Sequence, residues 1–152
     1  MFEEKIQKMG IAIPEAAKPL AAYIPALQVG NLVMTSGQVP IAEGAVKFQG
    51  KVGKDLSEEE GKEAAKLCAL NCFGAIKSVI GSLDKIKRVV KMTVFVNSAN
   101  GFTAQPKVAN GASEFVVEIF GEAGKHTRSA VGVSELPLNS AVEIEMIVEL
   151  AS

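Results

Sequence analysis

Apolar residues recur along this chain at two different periods, and the switches between them mark out its elements. Phe2, Ile6 and Met9 repeat at helical spacing, so residues 2–9 are expected to form a short amphipathic helix that Gly10 stops. Pro14, Pro19 and Pro25 then mark an extended, irregular lead-in. Residues 25–29 and 32–36 read as two strands around a tight Gly30-Asn31 turn. A third extended piece is expected around residues 46–50, interrupted by Gly44, Gly50 and Gly53. Ser57 followed by Glu60 is a capping box, and Ala65, Cys68, Ala69, Cys72, Ile76 and Val79 continue from it as a helical stripe that ends at Gly81. Gly61 and Gly74 weaken that helix by about 1 kcal/mol each relative to Ala, unless packing needs a close approach. Residues 87–96 alternate as a strand, with Val90, Met92, Val94 and Val96 on one face. A second helix over residues 103–120 carries Val108, Ala112, Phe115, Val116 and Ile119 and closes at Gly121 and Gly124. Two last strands, residues 126–133 and 141–150, are joined by a turn through Leu136, Pro137, Leu138 and Asn139.

The order ββ(β)αβαββ predicts an α/β (α+β) fold, a mixed sheet with two helices on one face. In the last strand Val142, Ile144, Met146 and Val148 should meet the helices, while Glu143, Glu145, Ile147 and Glu149 point the other way. Val33, Val89 and Phe95 are expected to share that second face. A face so mixed is too apolar to be wholly solvated, which suggests burial in an oligomer with polar members bordering a cleft.

With no repeat, low-complexity run or linker, residues 1–152 are expected to form a single domain, residues 1–22 being an N-terminal extension. A domain of this size buries roughly 70% of the surface its unfolded chain exposes, so it needs no disulfide or metal. Lys and Arg total 16 against 17 Asp and Glu, a net charge of −1, which offers no broad basic surface for nucleic acid. The densest basic stretch, Lys85, Lys87, Arg88 and Lys91, reads as a solvated turn and strand edge. Cys68 and Cys72 share a helix face and are expected to be buried thiols, not metal ligands. The charged N-terminus lacks the apolar core of a signal peptide, and no run reaches the ~20 apolar residues that span a bilayer, so a cytoplasmic location without a membrane partner is the default.

Chemistry has few candidates here. No metal cluster, P-loop, dinucleotide fingerprint or nucleophile elbow is present, so no cofactor and no metal are expected. No motif supports a Ser-His-Asp arrangement around the lone His126. Arg128 lies in a strand of small residues, with space around it, and a guanidinium matches a carboxylate with two parallel hydrogen bonds. The alternative is a structural ion pair with Glu143 or Glu145 on a neighbouring strand. Glu143 could act as a general base on water or orient Arg128. Burial would raise its pKa and a nearby arginine would lower it, which leaves the sign open. Tyr23, the single tyrosine, lies in the irregular lead-in, where packing is the simpler role.

Three segments resemble the RidA/YjgF family, whose members are also called endoribonuclease L-PSP or translation initiation inhibitor. Residues 30–40, Gly-Asn-Leu-Val-Met-Thr-Ser-Gly-Gln-Val-Pro, are similar to its N-x-h-x-[TS]-S-G-Q-x-P segment, where h is apolar. Residues 89–96, Val-Val-Lys-Met-Thr-Val-Phe-Val, resemble its V-x-K-x-T-V-[FY]-[VL] strand. Thr127-Arg128-Ser129-Ala130-Val131, then Leu136-Pro137 and Val142-Glu143-Ile144-Glu145, resemble its ending. The resemblance implies a chorismate-mutase-like fold and a homotrimer with a ligand cleft at each subunit interface. It implies hydrolytic deamination of reactive enamines and imines, such as 2-aminoacrylate and 2-iminobutanoate, to 2-keto acids and ammonia. By resemblance, Arg128 would clamp a small substrate carboxylate and Glu143 would help position the attacking water. Tyr23, Ser36 and the Gly37 backbone would line the cleft, and Asn110 would lie near it. The chain is longer than the common family form, and it carries Ala130 where many deaminating members have Cys and Ser113 where they have Tyr. Subgroups with weak or absent deaminase activity exist, so the alternatives are a non-catalytic trimeric binder of small carboxylates acting as a metabolic regulator, or an endoribonuclease.

Overall fold

The computed structural model describes residues 1–16 and 21–152; Pro19, one of the three prolines of the lead-in, lies outside the described residues. The elements are α1 (Phe2–Lys8), β1 (Ala26–Val29), β2 (Leu32–Thr35), β3 (Ile41–Ala42), β4 (Ala45–Val46), α2 (Glu58–Ile80), β5 (Ile86–Asn97), α3 (Gln105–Phe120), β6 (Thr127–Val133) and β7 (Val142–Leu150). Five strands form one mixed sheet in the order β1-β2-β7-β5-β6, antiparallel except for the β5–β6 pair. The parallel pair needs a crossover, and α3 supplies it. No described helix is long and apolar enough to cross a membrane.

Local chemistry accounts for the long helix. The Ser57 Oγ accepts from the Glu60 N–H and a Glu60 carboxylate oxygen accepts from the Ser57 N–H, each at 3.1 Å. Gly81 ends α2 with a φ of 85°, a conformation that favours glycine. Gly74 answers the cost expected of it: a Cβ there would lie 2.4 Å from the Pro14 carbonyl oxygen, so the missing side chain lets the lead-in cross the helix. Cys68 and Cys72 are buried against β7, where their thiols donate to the carbonyls of Val142 and Ile144 at 3.4 Å. Burial raises both thiols, Cys72 to about 12, which keeps them protonated and unreactive. On the other side of the helical layer, Phe2 of α1 packs on Phe120 of α3 with ring centroids 4.5 Å apart.

Four expectations need correction. Val33 and Val89 are both buried on the helix side of the sheet, each opposite Val148 in the register. The reason in β5 is a pair of irregularities, between Ile86 and Arg88 and between Val89 and Lys91. Each bulge adds a residue, so Ile86, Val89 and Met92 all turn inward at three-residue spacing before alternation resumes with Val94 and Val96. Val90 is therefore not part of the inward stripe. Val79 is exposed at the end of α2, and Ile80 fills the core position beside it. The extended piece near residues 46–50 is split: Val46 ends a two-residue hairpin, β3–β4, separate from the main sheet, while Gln49 makes an isolated antiparallel bridge to Ser140. The basic stretch behaves as expected: Lys85, Lys87, Arg88 and Lys91 are all exposed.

Candidate functional site

Arg128 is opposite Met92 in the β5–β6 register, and Met92 faces the helices. The arginine therefore projects from the sheet edge towards α3. There its Nη1 donates to the Asn110 Oδ1 at 2.9 Å and to the Ser113 Oγ at 3.1 Å. Asn110 and Ser113 are three residues apart on α3 and so present adjacent side chains to one strand position. Ser113 also lies 2.9 Å from the Nε2 of His126, whose Nδ1 is 2.6 Å from the Gly124 carbonyl oxygen. Burial, and after the Gly124 contact the neighbouring Arg128 charge, bear on this ring, and its pKa is lowered. The expected ion pair is not formed: among the described residues nothing joins Arg128 to Glu143 or Glu145.

Glu143 lies on the other face. It is opposite Phe95 in the β5–β7 register, on the side of the sheet away from the helices. Beyond β2 the chain stays beside β7 through reciprocal bonds between Gln38 and Ile144, at 2.8 and 3.0 Å. This lays Gly37 directly against Glu143: a Cβ on Gly37 would be 2.9 Å from the Glu143 carboxyl carbon and 2.9 Å from its Oε2. Glycine is required there by the space that the carboxylate occupies. Ser36 donates its Oγ–H to the Ile24 carbonyl at 2.6 Å, pinning the lead-in next to Tyr23, whose side chain is 58% exposed. Burial first, and Glu145 second, raise the pKa of Glu143. Within one chain the sign is therefore upward: this chain's own Arg128, which would have lowered it, is on the opposite face.

The residues singled out in the sequence therefore form two groups. Arg128 and Asn110 meet at the α3 side. Glu143, Gly37 and Ser36 meet at the outward face, with Tyr23 tethered nearby. Sequence reasoning missed Ser113 as a direct partner of the arginine, and His126 as the partner of Ser113. His126 is two residues before Arg128, so strand alternation already places both on one face, and Ser113 is one helical turn from Asn110.

The model of the family described as "YjgF/chorismate mutase-like, putative endoribonuclease" matches residues 3–150. The chain belongs to this family. Among its relatives, protein TCP17 of Trypanosoma cruzi is 43% identical over 95% of this chain and 91% of its own length. The 2-iminobutanoate/2-iminopropanoate deaminase of Dermatophagoides farinae is 34% identical over 91% of this chain and 93% of its own. The solved structure of Agrobacterium tumefaciens protein Atu1372 superposes with a TM-score of 0.92 at 40% identity, covering 99% of this chain and 92% of that one. Escherichia coli TdcF with bound serine superposes with a TM-score of 0.64 at 27% identity, covering 90% and 94%. The mixed sheet and its two long helices are thus the YjgF/chorismate-mutase-like fold.

Proposed function

We propose that this YjgF-family chain hydrolyses small 2-imino acids to 2-keto acids and ammonia, in clefts shared between subunits of a homotrimer. The observation that carries the reading is the division of the site. Arg128 is held by α3 with its Nε and Nη2 edge unpartnered among the described residues, while Glu143 lies on the opposite face of the same sheet. One chain cannot turn both groups on one small molecule, but Arg128 of one copy can face Glu143 of the next. Leu27, Val29 and Leu32 are exposed on the β1–β2 hairpin, and this apolar surface favours association. Relatives named as 2-iminobutanoate/2-iminopropanoate deaminases, and TdcF with its bound serine, support a small carboxylate-bearing ligand.

In this reading the guanidinium fixes the position and plane of the substrate carboxylate, with Asn110 holding the guanidinium. Tyr23, Ser36 and the Gly37 backbone line the other wall. Water adds to the imine carbon, the carbon–nitrogen bond breaks, and ammonia leaves with the nitrogen. Glu143, its pKa raised by burial and by Glu145, accepts a proton from the water and can return it to the departing nitrogen. The same reading takes residues 1–152 as one domain, with residues 1–22 an extension.

Subunit complementation tests both halves of the proposal together. Arg128→Ala and Glu143→Gln should each be nearly inactive on 2-iminobutanoate generated in situ. Co-refolded in equal amounts, they should regain about a quarter of wild-type activity, because a shared site then draws both intact groups with a chance of one half from each side. No regain on mixing removes the shared cleft. Binding of 2-ketobutyrate by a wild type that does not accelerate hydrolysis would make the protein a carboxylate binder instead.

A further inference from the structure

We propose that Ser113 and His126 are positioning residues that lock the Arg128 guanidinium with its Nε–Nη2 edge turned to the ligand. The inference rests on Arg128 being the carboxylate site.

The direction of every bond in this cluster follows from one contact. A carbonyl oxygen can only accept, so the 2.6 Å contact to Gly124 places the ring proton on His126 Nδ1. In the neutral ring Nε2 is then a bare lone pair. Burial and the Arg128 charge, which lower the ring's pKa, favour this neutral form. The contact of 2.9 Å between Nε2 and Ser113 must therefore use the only proton that the Ser113 hydroxyl has. With its proton committed, Oγ offers lone pairs alone, and it accepts from Arg128 Nη1 at 3.1 Å. The second Nη1 proton goes to Asn110 Oδ1 at 2.9 Å. Nη1 is saturated, and the fork left for a ligand is Nε–H with one Nη2–H.

The consequence is selectivity by geometry. A guanidinium free to rotate offers several edges to an anion. One held at Nη1 by two acceptors, one of them oriented by a histidine, offers a single edge in a single plane. That edge suits a flat carboxylate with two parallel acceptors. His126 touches no ligand in this scheme; it acts through the hydroxyl of Ser113.

Because His126 is the only histidine in the chain, its ring nitrogens can be read by NMR without ambiguity. At pH 7 the ring should be the neutral Nδ1–H tautomer, and Ser113→Ala should shift the Nε2 resonance. Calorimetric titration with 2-ketobutyrate should show Ser113→Ala and His126→Phe each weakening binding by about three- to tenfold. The double variant should be no weaker than the worse single one, since both break one chain of bonds. Ser113→Thr, which keeps the hydroxyl, and His126→Gln, which can present an acceptor where Nε2 was, should recover most of the loss. An Nε2–H tautomer, unchanged affinity in Ser113→Ala, or additive losses in the double variant would overturn the lock. Failure of the site itself looks different: Arg128→Ala would then bind 2-ketobutyrate as wild type does.

Discussion

The two groups of candidate residues differ in how far one chain finishes them. At the α3 side, Arg128 is gripped by Asn110 and Ser113, and Ser113 by His126, through contacts spaced by helix and strand periodicity. At the outward face, Glu143 has burial and the Glu145 charge acting on it but no partner among the described residues that would hold its charge. The first group is a positive charge fixed in direction. The second is a carboxyl held near Gly37 by shape alone. Under the proposed function, the difference teaches that binding and proton transfer are prepared separately: the arginine is preorganised by side chains of α3, while the carboxyl is kept unpaired, with its pKa raised.

The largest effect expected is on the clamp. Arg128→Ala should lower carboxylate binding and imine turnover by about 100-fold or more, because no other cation in the cluster replaces the fork. Arg128→Lys should recover little, since a point charge does not reproduce two parallel bonds. Steady-state kinetics with 2-iminobutanoate and calorimetry with 2-ketobutyrate measure the two losses, and equal activity in Arg128→Ala and wild type would dissolve the comparison.

A smaller effect should follow from crowding the base without touching the clamp. In Gly37→Ala the new Cβ would be driven into the Glu143 carboxyl, 2.9 Å away, and must displace it. Turnover should fall by about tenfold while 2-ketobutyrate affinity changes far less. A split of this kind between kcat and Kd separates the two groups; a parallel fall in both would join them.

The smallest effect concerns stability, and here the groups should titrate in opposite senses. His126 has a folded pKa below its unfolded value, so its contribution is present above the unfolded pKa of about 6.5 and is lost as pH falls through the folded one. Glu143 has a folded pKa above its unfolded value of about 4.3, so it favours the fold at acid pH and loses that contribution as pH rises through the folded pKa. Thermal melts should show Glu143→Gln gaining on wild type at pH 8 and matching it at pH 4. His126→Gln should lose less than wild type between pH 7 and pH 5. A Glu143→Gln gain at pH 4 as large as at pH 8 would contradict the sign given for the carboxyl.

Short-range pattern explains which features were legible. The Ser57–Glu60 capping box, the Gly30-Asn31 hairpin and the inward stripe of β7 each depend on residues within a few positions, and each is found as expected. The failures occur where a neighbouring strand intervenes. Val89 was assigned to the wrong face because the two irregularities of β5 are properties of its pairing with β7, and alternation within one strand cannot register an inserted residue; the face of Val33 is set by its register opposite Val148 of β7. Val79 fits the helical period yet is 37% exposed, and the core position at the end of α2 is taken by Ile80.

For the site, the sequence by itself determined the chemical parts: a guanidinium among small residues, a carboxylate on an alternating strand, a glycine two positions past β2, and an asparagine one helical turn from a serine. Only the tertiary structure decided that these parts do not form one cluster. Which face a residue takes is fixed within its own strand by a period of two. Which faces of two strands coincide is fixed by register, and register is a long-range property of the sheet. Met92 aligns with Arg128 and Phe95 with Glu143, an odd number of residues apart along β5, and that parity puts the arginine and the carboxylate on opposite sides.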